Sequence, residues 1–149
     1  MSYPLFSEEY FMNEALKEAI LAFEEDEVPV GAVVVTNNRI IARGHNMTEQ
    51  LNDVTAHAEM IALTSAANFL GSKYLNDCTL YVTLEPCLMC ATAHKWAQLG
   101  KLVFGASDDK AGYHLVESPV FHPKTEIKFG VLEKECSQLL KRFFKGKRS

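Results

Sequence analysis

The sequence predicts an α/β layered sandwich, and three observations predict it. Stretches of helical and of strand periodicity alternate along the chain, the strands are short and apolar, and no repeat, low-complexity segment or interdomain linker separates them. At 149 residues, 48% of them hydrophobic, the chain has the size and composition of one domain, 1–149, with a sizeable core.

Ser7 can cap a helix over residues 8–24, where Phe11, Ala15, Ala19 and Phe23 recur along one stripe that should face the core. The acidic cluster at 24–27 should close this helix on solvent. Residues 30–36 read as a strand, its Val33-Val34-Val35 run implying burial on both faces. Asn37-Asn38 is a turn dipeptide, and 39–43 return as the second strand of a hairpin. Gly44-His45-Asn46 leads into a polar loop through Asn52 and Asp53. Thr55 is the expected N-cap of a helix over 56–70, which puts His57 in the first turn, and Gly71 is its C-terminal stop. Residues 80–83 form a short strand, and Pro86 opens a helix running to residue 99 with Cys87 in its first turn. Residues 101–105 are a further strand. The stretch 106–125, with Gly112, Pro119 and Pro123, is a loop long enough to be functional. Residues 126–129 give a last strand. From 132 onward Leu132, Cys136, Leu139, Leu140 and Phe143 mark an amphipathic helix, with Phe143 and Phe144 as core anchors.

Several classes are excluded. No apolar run approaches the roughly 20 residues that span a bilayer, and the N-terminus lacks the basic and apolar regions of a signal peptide, so a soluble cytoplasmic protein without membrane contact is expected. Four cysteines in a chain of this size do not make a disulfide framework. The net charge of −4 argues against a general nucleic-acid binder. The charge is uneven, however: eight acids precede residue 28 against Lys17 alone, while Lys141, Arg142, Lys145, Lys147 and Arg148 crowd the last nine residues. That tail reads either as a phosphate contact or as a solvated helix end whose cations complement the dipole.

The chemistry gathers in two segments, Thr55-Ala56-His57-Ala58-Glu59 and Leu84-Glu85-Pro86-Cys87-Leu88-Met89-Cys90. Cysteines three apart on a helix are neighbours, and a helix N-terminus favours the thiolate that binds metal. Two soft thiolates and an imidazole suit zinc better than magnesium or calcium. With His57, Cys87 and Cys90 as ligands the count is three, which leaves a fourth position for water and implies a catalytic ion. Glu59 is the candidate proton carrier, although residues two apart on a regular helix do not share a face, so spacing alone does not place it beside the metal. Cys78 and Cys136 read as core thiols. His45, His94, His114 and His122 read as surface or packing residues, with His45 also placed beside Asn46 to line a pocket. Tyr113 and Phe121 read equally as base-stacking side chains and as parts of a packed loop.

His57-Ala58-Glu59 followed by Pro86-Cys87-Leu88-Met89-Cys90 is the signature of the zinc nucleobase deaminases. Over nearly its whole length the chain resembles the bacterial tRNA-specific adenosine deaminases of the cytidine/deoxycytidylate deaminase superfamily. Glu27 to Ala32, Gly44-His45-Asn46, Leu80 to Cys90 and Val103 to Asp108 carry the likeness beyond the signature. The resemblance implies a cytidine deaminase-like fold, a three-layer α/β/α sandwich with a mixed central sheet. It implies that zinc activates a water, that Glu59 relays protons, and that a flipped adenine in the anticodon stem-loop of a tRNA loses its amino group to give inosine. It implies that Asn46 contacts the base, that Val30 and Leu84 wall the pocket, and that Asp108 lies at the nucleic-acid site, where a contact to a 2′-hydroxyl would help select RNA. A homodimer with the substrate site near the subunit interface is implied as well.

The chain departs from many members of that family at Ala91-Thr92-Ala93 and at Tyr113-His114-Leu115, where small residues are usual. These departures leave the zinc chemistry intact and bear on RNA contacts. Two other readings stand beside the first: a deaminase of a free base or nucleoside such as guanine or cytosine, and a non-catalytic zinc-stabilised binding module.

Overall fold

A computed structural model of the protein describes residues 2–148. Ser7 opens the first helix, α1 (Glu8–Glu24), by accepting a hydrogen bond from the Tyr10 N–H at 3.1 Å, and Glu8 and Glu9 in the first turn complement the helix dipole. Strands β1 (Gly31–Thr36) and β2 (Arg39–His45) follow as a hairpin whose turn residues, Asn37 and Asn38, both have positive φ, 50° and 60°. That pair of angles matches the twist of the flanking strands, and asparagine tolerates it. The chain continues through α2 (Thr48–Leu51), α3 (Ala58–Leu70), β3 (Thr79–Leu84), α4 (Leu88–Trp96) and β4 (Lys101–Ala106). A 3₁₀ turn (Tyr113–Leu115), β5 (Glu126–Phe129) and α5 (Glu133–Arg148) complete it.

The strands form one mixed sheet in the order β2-β1-β3-β4-β5, antiparallel where β1 meets β2 and β3, parallel where β4 meets β3 and β5. Because side chains alternate across a strand, the two faces carry separate cores. Ala32, Val34, Leu80, Val82 and Phe104 face α3 and α4, where Ala58, Ala62, Ala66 and Ala91 let the helices approach closely. Val33, Val35, Tyr81 and Val103 face Phe11, Met12, Ala15 and Leu16 of α1 and Cys136 of α5. This is the three-layer α/β/α sandwich that the sequence implies. Gly31 sits where β1 crosses α1, and a Cβ there would lie 2.1 Å from the Ala15 carbonyl oxygen. Truncating a core anchor such as Phe11, 2% exposed, to alanine costs about 3–5 kcal/mol in comparable cores.

The structure corrects the sequence reading at several points. Thr55 does not cap α3, because its N–H and hydroxyl both donate to Asp53 Oδ1, at 2.8 and 2.7 Å, in a local turn. The cap position falls to His57 itself, with extended backbone (φ −75°, ψ 153°). Cys87 likewise occupies the N-cap of α4 (φ −73°, ψ 173°), so Pro86 precedes the helix and neither His57 nor Cys87 lies in a first turn. Helix α4 ends at Trp96, three residues early, as Gln98 turns left-handed (φ 55°) and the Leu99 N–H closes on the His94 carbonyl. The supposed polar loop contains α2. The acidic cluster does not end wholly in solvent, since Glu27 is buried. Phe144 is 44% exposed and is no core anchor, whereas Phe143 is buried.

Candidate metal centre and active site

Helices α3 and α4 converge with their N-termini at the end of the sheet, and each contributes its cap residue. His57 makes no capping hydrogen bond, which leaves its ring to face the cysteines. His57 Nδ1 stands 3.6 Å from Cys87 Sγ and 3.4 Å from Cys90 Sγ, and the three ligand atoms lie within 4.8 Å of one another. Donors held about 2.0–2.3 Å from one ion at tetrahedral angles stand about 3.5–3.8 Å apart, so the spacing fits a single zinc. Among the described residues this is the group of histidine, cysteine and carboxylate side chains so gathered.

The electrostatics favour ionisation of one thiol, Cys87. A hydrogen bond from Cys90, working against burial and joined by His57, brings the Cys87 thiol down to about 4. Cys90 is pushed up by that same hydrogen bond and by burial, so the first thiolate forms on Cys87. The hydrogen bond to Cys87 raises His57, outweighing its partial burial. Glu59, in the first turn of α3 and 4% exposed, is pushed up to about 7 by burial, against the opposing pull of its backbone hydrogen bond and of His57.

These residues border a cavity of about 280 Å³. His57, Glu59 and Cys87 line it, and so do Val30, Asn46, Leu84 and Asp108. Cys90 lies behind them, fully buried. Asp108 Oδ1 accepts from the Lys110 and Ala111 amides at 3.0 and 3.1 Å, so that carboxylate also caps its own turn. His45 does not line the cavity: Glu18 and Glu25 hold its ring at 3.1 and 2.9 Å. His94 is fully buried, with Nδ1 donating to the Cys90 carbonyl at 2.8 Å. Cys78 and Cys136 are buried thiols. Tyr113 and Phe121 pack edge to face with centroids 5.0 Å apart. In the basic tail, Lys147 pairs with Asp26 at 2.6 Å and the Arg142 guanidinium lies 5.5 Å from the Phe23 ring.

Two further buried carboxylates shape the cavity without having been singled out from sequence. Glu27 accepts from the Glu49 and Gln50 amides at 3.1 and 2.8 Å and from the Thr48 hydroxyl at 3.4 Å. Glu85 accepts from the 108–114 segment. The available signal was an acid bounded by apolar strand residues and proline, Leu84-Glu85-Pro86, whereas Glu27 was disguised by its acidic neighbours.

An α/β sandwich with a His-Cys-Cys centre at paired helix N-termini and a buried glutamate beside it defines a zinc-dependent deaminase. The model of the cytidine and deoxycytidylate deaminase zinc-binding region matches residues 6–106, and the chain belongs to that family. The tRNA-specific adenosine deaminase of Aquifex aeolicus (strain VF5) is 44% identical over 146 residues, covering 95% of this chain and 96% of the relative. The enzyme of the same description from Bacillus subtilis (strain 168) is 46% identical over 143 residues, covering 93% and 89%. A solved structure from a study of A-to-I editing by tRNA:A34 deaminases at the wobble position superposes with a TM-score of 0.82 at 44% identity, covering 87% of this chain and 98% of that one.

Proposed function

We propose that the chain, acting as a single domain over residues 1–149, hydrolytically deaminates adenosine to inosine in the anticodon loop of a tRNA. The observation that carries this reading is one cavity bordered by a three-donor zinc site and by a buried carboxylate that is not among the donors. His57 Nδ1 and the Cys87 and Cys90 sulfurs would hold the ion. Zinc, when bound there, supplies the Lewis acidity that makes water nucleophilic near neutral pH. Glu59 takes the proton of the attacking water on its carboxylate and delivers protons to the purine ring and to the departing ammonia, so that water and adenosine become inosine and ammonia. Val30 and Leu84 offer apolar walls to the faces of a flipped base, Asn46 a polar group to its edge, and Asp108 an acceptor towards the ribose.

Full-length similarity to tRNA-specific adenosine deaminases supports the RNA substrate over a free base. A homodimer belongs to the same reading, and the exposure of Val54 (84%) and Trp96 (78%) supports a second copy covering apolar surface. Among the described residues no helix is long and apolar enough to cross a membrane; the tRNA substrate is what supports a cytoplasmic location.

Incubating the protein with an anticodon stem-loop and with free adenine, guanine and cytosine tests the reading, with inosine expected in the RNA alone. Turnover confined to a free base would overturn the substrate. Glu59→Ala should retain zinc and lose turnover, and undiminished activity in that variant would remove Glu59 from its role.

A further inference from the structure

Glu85 follows β3 two residues before Cys87, is 2% exposed, and spends its hydrogen bonds on a different segment from the metal cluster. Its Oε1 accepts from the Asp108 N–H at 3.0 Å and its Oε2 from the His114 N–H at 2.9 Å. His114 Nδ1 lies 2.8 and 2.7 Å from the two oxygens and, since carboxylate oxygens accept, donates between them. All three donors therefore sit at the two ends of one turn, 108–114, which supplies Asp108 and Ala111 to the cavity wall.

That turn is closed tightly around the carboxylate. The Gly112 N–H donates to the Asp108 carbonyl at 3.0 Å, and the Tyr113 N–H to the Pro86 carbonyl at 2.9 Å. Cys87 and Gly112 form an isolated antiparallel bridge. A Cβ on Gly112 would lie 2.4 Å from the Asp108 carbonyl oxygen and 2.5 Å from the Glu85 carboxyl carbon, so no side chain fits there. Two of the donors to Glu85 are backbone amides, which any residue except proline would supply. The third is the His114 imidazole, which does not itself line the cavity.

We infer that His114 is a positioning residue: by completing the hydrogen bonding of Glu85 it fixes the 108–114 turn and with it the Asp108 wall of the substrate cavity. The inference rests on the RNA-deaminase reading for its functional consequence. A buried carboxylate deprived of a donor draws in water or reorients. Reorientation would release the Asp108 amide, and substrate binding would weaken while the zinc site and Glu59 stay in place.

The test compares wild type with His114→Leu, which removes the donor, and His114→Asn, whose amide nitrogen can occupy the place of Nδ1. Stem-loop deamination kinetics, zinc content and hydrogen exchange of the 108–114 amides are read for each. His114→Leu is expected to raise KM about tenfold with kcat held within about twofold and zinc unchanged. Exchange at Asp108 and His114 should accelerate in the same variant. His114→Asn should recover both. Wild-type KM in His114→Leu, equal damage in both variants, or a fall in kcat alone would overturn the inference. A wild type inactive on the stem-loop but active on a free base overturns the substrate reading, and exchange then decides separately: protection lost with leucine and regained with asparagine upholds the clamp, and unchanged protection refutes it.

Discussion

Replacing Glu27 by alanine tests the claim that a buried acid from the α1–β1 connection holds the opposite wall of the cavity. Helix α2 has no side-chain cap of its own, since Met47 occupies the N-cap, and its leading amides point at Glu27 instead. Alanine strands the Glu49 and Gln50 N–H groups and the Thr48 hydroxyl. Buried groups so abandoned cost about 1–3 kcal/mol each, but Glu49 and Gln50 are themselves exposed and water can reach their amides, which puts each near the low end. Lost methylene burial adds about 1 kcal/mol. The sum, about 3 kcal/mol, should lower Tm by about 6–12 °C in a chain of this length. Glutamine keeps the volume but only one acceptor oxygen. Because the two amides bond to different oxygens, one must then face an NH₂ group, and about half of the loss should remain. Urea unfolding with unchanged slope, together with faster hydrogen exchange at Glu49 and Gln50, would read the effect. An alanine variant within about 0.5 kcal/mol of wild type, or a glutamine variant as stable as glutamate, would refute the reasoning.

The ion pairs of Glu8 with Lys101 and Lys128 tie the start of α1 to β4 and β5. Partial burial works against ionisation of Glu8, but the hydrogen bonds and charges of Lys128 and Lys101 outweigh it and hold the carboxyl below its usual 4.5. A depressed folded value contributes stability that is full above 4.5 and is lost as pH falls through the folded value. Glu8→Gln should thus lower Tm by about 1–2 °C at neutral pH, and the gap should close in acid; a gap independent of pH would contradict the assignment. Chelation of zinc should abolish deamination and leave the far-UV circular dichroism unchanged, because neither hydrophobic core is built from the three donors, two at helix caps and Cys90 inside α4. Re-addition of zinc should restore turnover, and global unfolding on chelation would show that the centre is structural.

The parts of the fold legible in sequence are those set by local periodicity. The bounds of α1 and β5 and the burial of β1 on both faces follow from local pattern, because each is decided by residues within a few positions. What escaped depends on pairings across long separations. Glu27 meets α2 more than twenty residues later, and Glu85 meets His114 after 29. An acid read beside its chain neighbours is a solvated charge, whereas the same acid read beside unsatisfied amides is a cap. Thr55 failed as a cap for the converse reason: Asp53, two residues away, offered its hydroxyl and amide a nearer acceptor.

The cap positions also resolve why His57 and Glu59 border one cavity despite a spacing that a regular helix would splay. Two residues along a helix turn the side chain by roughly 200°, so a helical His57 would point away from Glu59. His57 is not helical. Its extended backbone at the N-cap breaks that relation, turning the ring toward the cysteines while Glu59, already in the first turn, lines the same space. Cys87 and Cys90 use the same device on α4, the first at the cap and the second three residues on, inside the helix. Two helices thus deliver four functional groups to one point without a bulge or a break in either. The cap position of Cys87 also lets the Cys90 backbone N–H, in the first turn of α4, add to the side-chain hydrogen bonds from Cys90 and His57 that lower its thiol. A substitution that drew His57 into α3 by giving the helix an earlier cap would separate the ligand from the carboxylate while leaving the sequence motif intact.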